Sequence, residues 1–283
     1  MSIVTRSVDS SLGRWTYSEW RPAHLAGMVE SLGYFDGEPA HPRERAFPNG
    51  RLDLILHLSE RYRLVDGART ELCPVACFTG QLSSSIVVEA PPGGSRVLGV
   101  RLHPAGAYAL LRMPLSEVSG ITVDLRDLLG SAADELVERC HGAVSAEERL
   151  RVAARWLAER IAKSRRVEPP IAWTAAEIER AHGAVSIAGL RERIGMSGRR
   201  LVAAFREQIG VAPKLYARIR RVQRVLALLN EGAGSLADLA LDAGYYDQPH
   251  MNAELRELTG LAPSEFLTAM RYPGSVSLAE STA

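Results

Sequence analysis

The chain has only three cysteines in 283 residues, Cys73, Cys77 and Cys140, too few for a disulfide framework. Cys73 and Cys77 are close enough to suggest a redox pair. Pro74 lies between them, however, and the segment reads as a strand, so buried ordinary thiols are the better reading. No apolar run approaches the roughly 20 residues of a membrane span, and no opening run has the make-up of a signal peptide, so a cytoplasmic protein without a membrane partner is expected. The formal net charge is only +1, so any affinity for nucleic acid has to come from local clustering. Also missing are a glycine-rich phosphate loop, a Gly-x-Ser-x-Gly elbow and a Cys/His dyad at a suggestive spacing. His57 and His103 stand without a His-x-His pair, which argues against a metal site and against the chemistry it would support. The chain is expected to be no enzyme, with no catalytic residues, no metal and no cofactor.

The remaining composition is that of an ordinary globular protein. With 46% hydrophobic residues, the length fits two domains, each with a core. The first 162 residues read as a succession of short strands followed by helices. Residues to about Ser18 read as a weakly ordered lead-in, and a helix is expected from Arg21-Pro22 to Gly33 on the spacing of Leu25, Met28, Val29 and Leu32. A strand follows in which Leu52, Leu54, Leu56 and Leu58 point one way and Arg51, Asp53, Ile55 and His57 the other. Asp66-Gly67 marks a hairpin, and further strands are expected at Val75–Thr79, Ile86–Glu89 and Arg96–Leu102. After Pro104 the pattern turns helical. Leu150, Leu157 and Ile161 can serve equally as internal core or as a dimer seam. Residues 163–170 are polar and proline-stiffened, the marks of a linker.

The densest signal lies between Val185 and Phe266, where one unit occurs twice. In the first copy Ile187, Leu190 and Ile194 line a short helix, Gly195 stops it, and Ser197 can cap a second helix running through Leu201 and Phe205. The second copy repeats the order from Ser235. Leu236, Leu239 and Ala240 face inward, Ala243-Gly244-Tyr245 turns, and a helix carries Gln248, His250, Met251, Leu255 and Leu258. Each copy closes alike, with Ile209-Gly210-Val211-Ala212-Pro213 and with Leu258-Thr259-Gly260-Leu261-Ala262-Pro263. A long helical pattern from Pro213 to Asn230 joins them. Helix, tight turn and capped helix are the order of a helix-turn-helix, whose second helix enters the major groove.

On these residues, above all Leu236-Ala237-Asp238-Leu239-Ala240, Gly244-Tyr245 with Asp247-Gln248 and His250, and Thr259-Gly260 with Ala262-Pro263-Ser264, the last hundred residues resemble the DNA-binding domain of the AraC/XylS family. The resemblance implies an α+β chain in which a cupin-like antiparallel β-barrel or sandwich with packing helices precedes an all-α domain of two helix-turn-helix units joined by a long helix. It divides the chain into a sensor or dimerisation domain (1–162), a linker (163–170), a DNA-binding domain (171–272) and a disordered tail (273–283). Phe47-Pro48-Asn49-Gly50, Gly80-Gln81 and the run from Gly99 to Gly106 resemble one subfamily of such regulators.

By the same matching, Arg199, Val202 and Ala203 face base edges in the first unit, with Arg200, Arg206 and Lys214 as basic neighbours. Arg199 can bind guanine in bidentate fashion, while Val202 and Ala203 can touch only a thymine methyl. In the second unit the base-facing positions are Gln248, Pro249, Asn252 and Ala253, with His250 as a cap or phosphate ligand. From Arg191 to Arg224 ten basic residues face only Glu192 and Glu207, a net of +8, whereas from Val225 onward two arginines face eight acids, a net of −6. The first unit is therefore expected to anchor on phosphates and the second to adjust position, unless the arginines simply form a solvated face. Arg101, His103 and Tyr108 are the candidates for binding an effector. Arg101 would suit an anion, or would tie strand to helix as a structural arginine.

The partners implied are double-stranded DNA through its major groove and a small-molecule effector, with RNA polymerase and a second copy of the chain left open. Two rival readings stand beside the regulator. One is a DNA-repair methyltransferase carrying an AraC-like module, with Cys77 or Cys140 as acceptor. The other is an architectural DNA binder indifferent to sequence.

Overall fold

The computed structural model of the chain describes residues 2–41, 43–162, 165–232, 235–269, 271–272 and 275–277. The strands are β1 (Val4–Ser10), β2 (Gly13–Trp20), β3 (Val29–Pro39), β4 (Arg43–Ala46), β5 (Leu52–His57), β6 (Arg63–Asp66), β7 (Arg69–Leu72), β8 (Ala76–Thr79), β9 (Ile86–Glu89), β10 (Ser95–Leu102), β11 (Thr122–Asp124), β12 (Arg271–Tyr272) and β13 (Ser275–Ser277). Among the described residues they form two antiparallel sheets, in the orders β1-β2-β3-β10-β5-β8-β11 and β12-β13-β4-β9-β6-β7. The sheets stay open, so the sandwich and not the closed barrel is the architecture. The second sheet borrows β12 and β13 from the end of the chain, with Ser275 opposite Ala46 and Ser277 opposite Glu44. That strand is the part of residues 273–283 that lies within the described residues.

The alternation along β5 positions everything else. Leu52, Leu54 and Leu56 are fully buried against a helical layer, while Asp53, Ile55 and His57 turn toward the second sheet. In β10, Leu98, Val100 and Leu102 join the same core, and Val97, Gly99 and Arg101 face the gap. The helical layer consists of α1 (Pro104–Leu111), α2 (Leu125–Leu129), α3 (Ser131–Gly142) and α4 (Ala146–Ile161). Leu150, Leu157 and Ile161 are buried in this core together with Trp156, so within the single chain they pack inward and leave no seam.

Two expectations for the first forty residues fail. The supposed lead-in is the β1–β2 hairpin, paired from Val4↔Glu19 to Ser10↔Gly13, with Trp15 buried against Phe35. The expected helix over Arg21–Gly33 is a single 3-10 turn, Ala23–Leu25, followed by β3. The cause of the misreading is a bulge. Opposite Arg101 and Leu102, the partners on β3 are Ser31 and Val29, and Glu30 is the extra residue. A bulge shifts side-chain parity by one, so Val29 and Leu32 both reach the core at a spacing that a regular strand forbids and a helix allows.

The C-terminal half is helical: α5 (Pro169–Arg180), α6 (Ile187–Arg193), α7 (Gly198–Ile209), α8 (Pro213–Glu231), α9 (Leu236–Asp242), α10 (Gln248–Thr259) and α11 (Pro263–Thr268). Prolines at the first turn of α5, α8 and α11 fit the missing amide of that position. Gly210, Gly232 and Gly260 close α7, α8 and α10 in the left-handed conformation.

Candidate nucleic-acid interface

Each helix-turn-helix is set by its caps. The Ser197 hydroxyl accepts from the Arg200 amide at 3.3 Å, and Asp247 Oδ1 accepts from the His250 amide at 2.9 Å. Ser186 and Ser235 likewise cap α6 and α9. In α7, Leu201 and Phe205 are buried, with Phe205 edge-on to Tyr216 of α8 at 5.7 Å between ring centres. The opposite face presents Arg199, Arg200, Val202, Ala203 and Arg206, every one exposed, with Lys214 exposed at the start of α8. The structure therefore gathers all six first-unit candidates on solvent-facing positions.

The second unit is less open. Pro249, His250 and Ala253 are exposed on α10, whereas Gln248 and Asn252 are half-buried. Asn252 Oδ1 is shielded from solvent and finds no hydrogen-bond partner among the described residues. The His250 ring stands edge-on to Tyr245 at 5.3 Å, and it is Asp247, not His250, that caps the helix.

The charge contrast read from the sequence needs correcting. Arg218 Nε donates to Glu254 Oε2 at 2.8 Å, and its Nη2 donates to Glu257 at 2.5 Å. Arg221 Nη2 donates to both Glu254 oxygens at 3.0 and 3.1 Å, and the Tyr245 hydroxyl donates to Glu254 Oε1 at 2.8 Å. Glu254 is buried. Burial works to raise its pKa, but the bonds from Arg218 and Tyr245 and the charge of Arg221 outweigh it and hold the carboxyl below the usual carboxylate range. Two arginines counted toward phosphate binding thus clamp α8 to α10, and a third, Arg220, donates from Nη1 to the Asn49 carbonyl at 2.9 Å. They are neither a solvated face nor free for DNA. At 19 residues and 1.5 Å per residue, α8 is about 28 Å long, and the clamp fixes α10 against it.

The two halves of the chain meet along a polar seam built from residues more than a hundred positions apart. Phe47 packs with Phe266 at 6.2 Å, the Pro48 carbonyl accepts from Gln223 Nε2 at 2.7 Å, and Asn49 is held by Arg220. Arg51, with its side chain only 7% exposed, pairs with Glu30 of the bulge and with Glu179 of α5, the latter at 2.7 Å. The Tyr216 hydroxyl donates to the same Glu179 carboxylate. Gln81, fully buried, donates to the Ile209 carbonyl at 3.1 Å. The Phe47–Gly50 and Gly80-Gln81 motifs are therefore built into the junction with the helical half.

The three effector candidates separate. Arg101 faces the gap between the sheets, where its Nε donates to Asp53 Oδ1 at 3.2 Å. His103 sits at the N-cap of α1, and burial followed by the charge of Arg51 lowers its pKa. Tyr108 is buried away from the gap. Its hydroxyl donates to Glu207 of α7 at 3.0 Å beneath the Arg165 guanidinium. The gap is a cavity of about 480 Å³. A second cleft of about 360 Å³ lies between the halves and shares Glu30, Asn49 and Arg101 with it.

Burial pushes the Cys77 thiol up to about 12 and the Cys140 thiol to about 11, so both stay protonated at neutral pH. Neither environment activates a methyl acceptor. Among the described residues no cluster of three metal-ligating side chains occurs, and no helix is long and apolar enough to cross a membrane.

Two capped helix-turn-helix units, bridged by one helix and closed by matching Gly-x-Ala-Pro turns, run from Ser186 to Pro263, and a helix-turn-helix domain family model matches residues 190–269. The C-terminal region thus carries a helix-turn-helix domain, a DNA-binding module. Residues 21–124 match a second family, described as a domain of unknown function, DUF6597. No curated protein sequence matches the chain. Among solved structures, ToxT from Vibrio cholerae (P21 form) is similar at 11% identity and a TM-score of 0.45, covering 80% of this chain and 94% of its own. Unsaturated fatty acid-bound ToxT from strain SCE256 gives 11% and 0.45, covering 80% and 91%. A probable AraC family transcriptional regulator from Rhodopseudomonas palustris gives 27% and 0.32, covering 35% of this chain and 95% of its own. Its helix-turn-helix domain marks the chain as a DNA-binding transcription regulator.

Proposed function

We propose that the regulator reads DNA sequence with α7 and α10, and that a small molecule held between the two sheets controls it through the seam. One observation carries this reading: the loop 47–51 belongs to both structures. Phe47 and Asn49 line the cavity, while the Pro48 and Asn49 carbonyls accept from Gln223 and Arg220 on the helix that joins the reading heads. A ligand that moves this loop alters contacts to α8, and with them the balance between DNA-competent and other arrangements. A coupling of this kind is typically worth about 1–3 kcal/mol, or about 5- to 150-fold in affinity. In this scheme Arg199 reads guanine, Gln248 reads adenine, and Arg200, Arg206 and Lys214 neutralise phosphates.

The test is Gln223→Ala combined with Arg220→Ala, which removes both hydrogen bonds from α8 to the loop carbonyls and leaves the exposed faces of α7 and α10 intact. Affinity for a selected duplex should change at least about 5-fold against wild type. Unchanged affinity in a folded variant would mean that these two bonds transmit nothing, against the coupling proposed.

A further inference from the structure

We propose that the cavity between the sheets takes an uncharged, largely apolar molecule, an inference that rests on the effector reading and names the chemistry of the ligand. The volume of about 480 Å³ is that of a pocket for a drug-sized molecule. Three rungs of the first sheet face it, each made of residues paired across adjacent strands. Ser31, Arg101, Asp53 and Thr79 make a polar rung. Gly33, Gly99, Ile55 and Cys77 make the next, and Tyr17, Phe35, Val97 and His57 the third. The middle rung is covered at one end, because the Tyr17 ring lies over Gly33, where an added carbon would come within 2.3 Å of the hydroxyl. At Gly99 an added carbon would meet nothing within 4 Å, so the space opens there. Across the gap the second sheet contributes Leu64 of β6 with Ile86 and Val88 of β9.

The pairing of the charges decides the class. Among the described lining residues every carboxylate and guanidinium already has a partner within the chain. Arg21 holds Glu19 at 3.0 Å, Arg101 holds Asp53 at 3.2 Å, Glu30 is bound by Arg51 from the seam, and Glu44 is engaged as well. The remaining titratable walls are neutral. Burial lowers the pKa of His57, whose Nδ1 donates to the Pro74 carbonyl at 2.9 Å, and burial raises the Cys73 and Cys77 thiols. An anion, which Arg101 alone would suit, and a cation therefore meet the same obstacle: each gives up its hydration and finds no uncommitted counter-charge. An uncharged ligand gives up little on leaving water and gains the apolar contact of Ile55, Leu64 and Val88. Tyr17 adds direction. Burial raises its pKa, so the hydroxyl keeps its proton and can donate to a ligand oxygen beside Gly99.

Two series, each an alcohol, a carboxylate and an ammonium ion on one skeleton, provide the test: naphthalen-2-ylmethanol, 2-naphthoate and naphthalen-2-ylmethylammonium, and 1-octanol, octanoate and octylammonium. Each compound is titrated into the full-length chain by calorimetry at neutral pH. In at least one series the alcohol should bind at least about ten-fold more tightly than either ion. Gly99→Leu, whose side chain would fill the open space, should weaken that binding at least about ten-fold, with circular dichroism confirming the fold. Gly99→Val is the smaller replacement if the leucine is not accommodated. An ion that binds within about ten-fold of its alcohol, or more tightly, in both series would overturn the assignment of class and leave the effector reading standing. Binding of none of the six would overturn both. Alcohol binding that survives the filling of Gly99 would place the ligand elsewhere and defeat the proposal.

Discussion

Replacing Arg51 tests whether the seam is a structural coupling or an incidental contact. Its guanidinium is 7% exposed, and the partner carboxylates of Glu30 and Glu179 are 33% and 28% exposed. Removing one partner of a fully buried pair costs about 3–5 kcal/mol. Water reaches both carboxylates here, so Arg51→Met, which keeps the aliphatic volume, should cost about 2–3 kcal/mol at pH 7. The pH dependence follows from the two acids. Burial works to raise both pKa values, but the bond and charge of Arg51 at Glu30, and the charge of Arg51 with the Tyr216 bond at Glu179, hold both below the usual carboxylate value. Their contribution is complete above the unfolded-state pKa of about 4.5 and is lost as pH falls through the lower folded values. The difference between wild type and Arg51→Met should therefore be largest near neutrality and shrink below about pH 4.5. Urea unfolding followed by tryptophan fluorescence at several pH values reads both quantities, and a cycle with Glu179→Gln should return a coupling of about 1–3 kcal/mol. A loss under about 0.5 kcal/mol at pH 7, or one that does not diminish in acid, would refute the reasoning.

Glu254→Gln should lower stability by about 2–4 kcal/mol in a thermal melt, because Arg218, Arg221 and the Tyr245 hydroxyl lose a shared buried carboxylate; an unchanged melt would mean that the clamp between α8 and α10 contributes nothing. Gly183→Ala should destabilise by about 1–3 kcal/mol, since φ is +81° and the added carbon would lie 2.0 Å from the Ala217 carbonyl oxygen of α8; a neutral result in urea unfolding would disprove that close approach. Cys77 and Cys140 should resist a thiol reagent at pH 7.5 until urea unfolds the chain, and fast labelling of the native protein would revive the methyl-acceptor reading.

What the sequence disclosed follows from the range of the interactions. Caps, turns and helix periods act over a few residues, so Ser197, Gly195, Asp247 and Gly260 announced the helix-turn-helix units, and the leucines of β5 announced the sheet. The bulge at Glu30 hid β3, because its cause lies seventy residues away in the register with β10. The seam was hidden for the same reason: nothing local to Arg51 or Gln81 indicates Glu179 or the Ile209 carbonyl as a partner. Counting charges along the chain also treated Arg218 and Arg221 as available, although Glu254 on another helix had taken them.

The most direct test of the regulator is selection of random duplexes by the full-length protein, repeated with Arg199→Ala and Gln248→Ala. The account predicts a split motif with half-sites about one helical turn apart, one half weakened by each substitution, with about 1–3 kcal/mol of discrimination lost at the affected base. If no motif is enriched and both variants bind as wild type does, the chain does not read sequence, and the architectural reading takes its place.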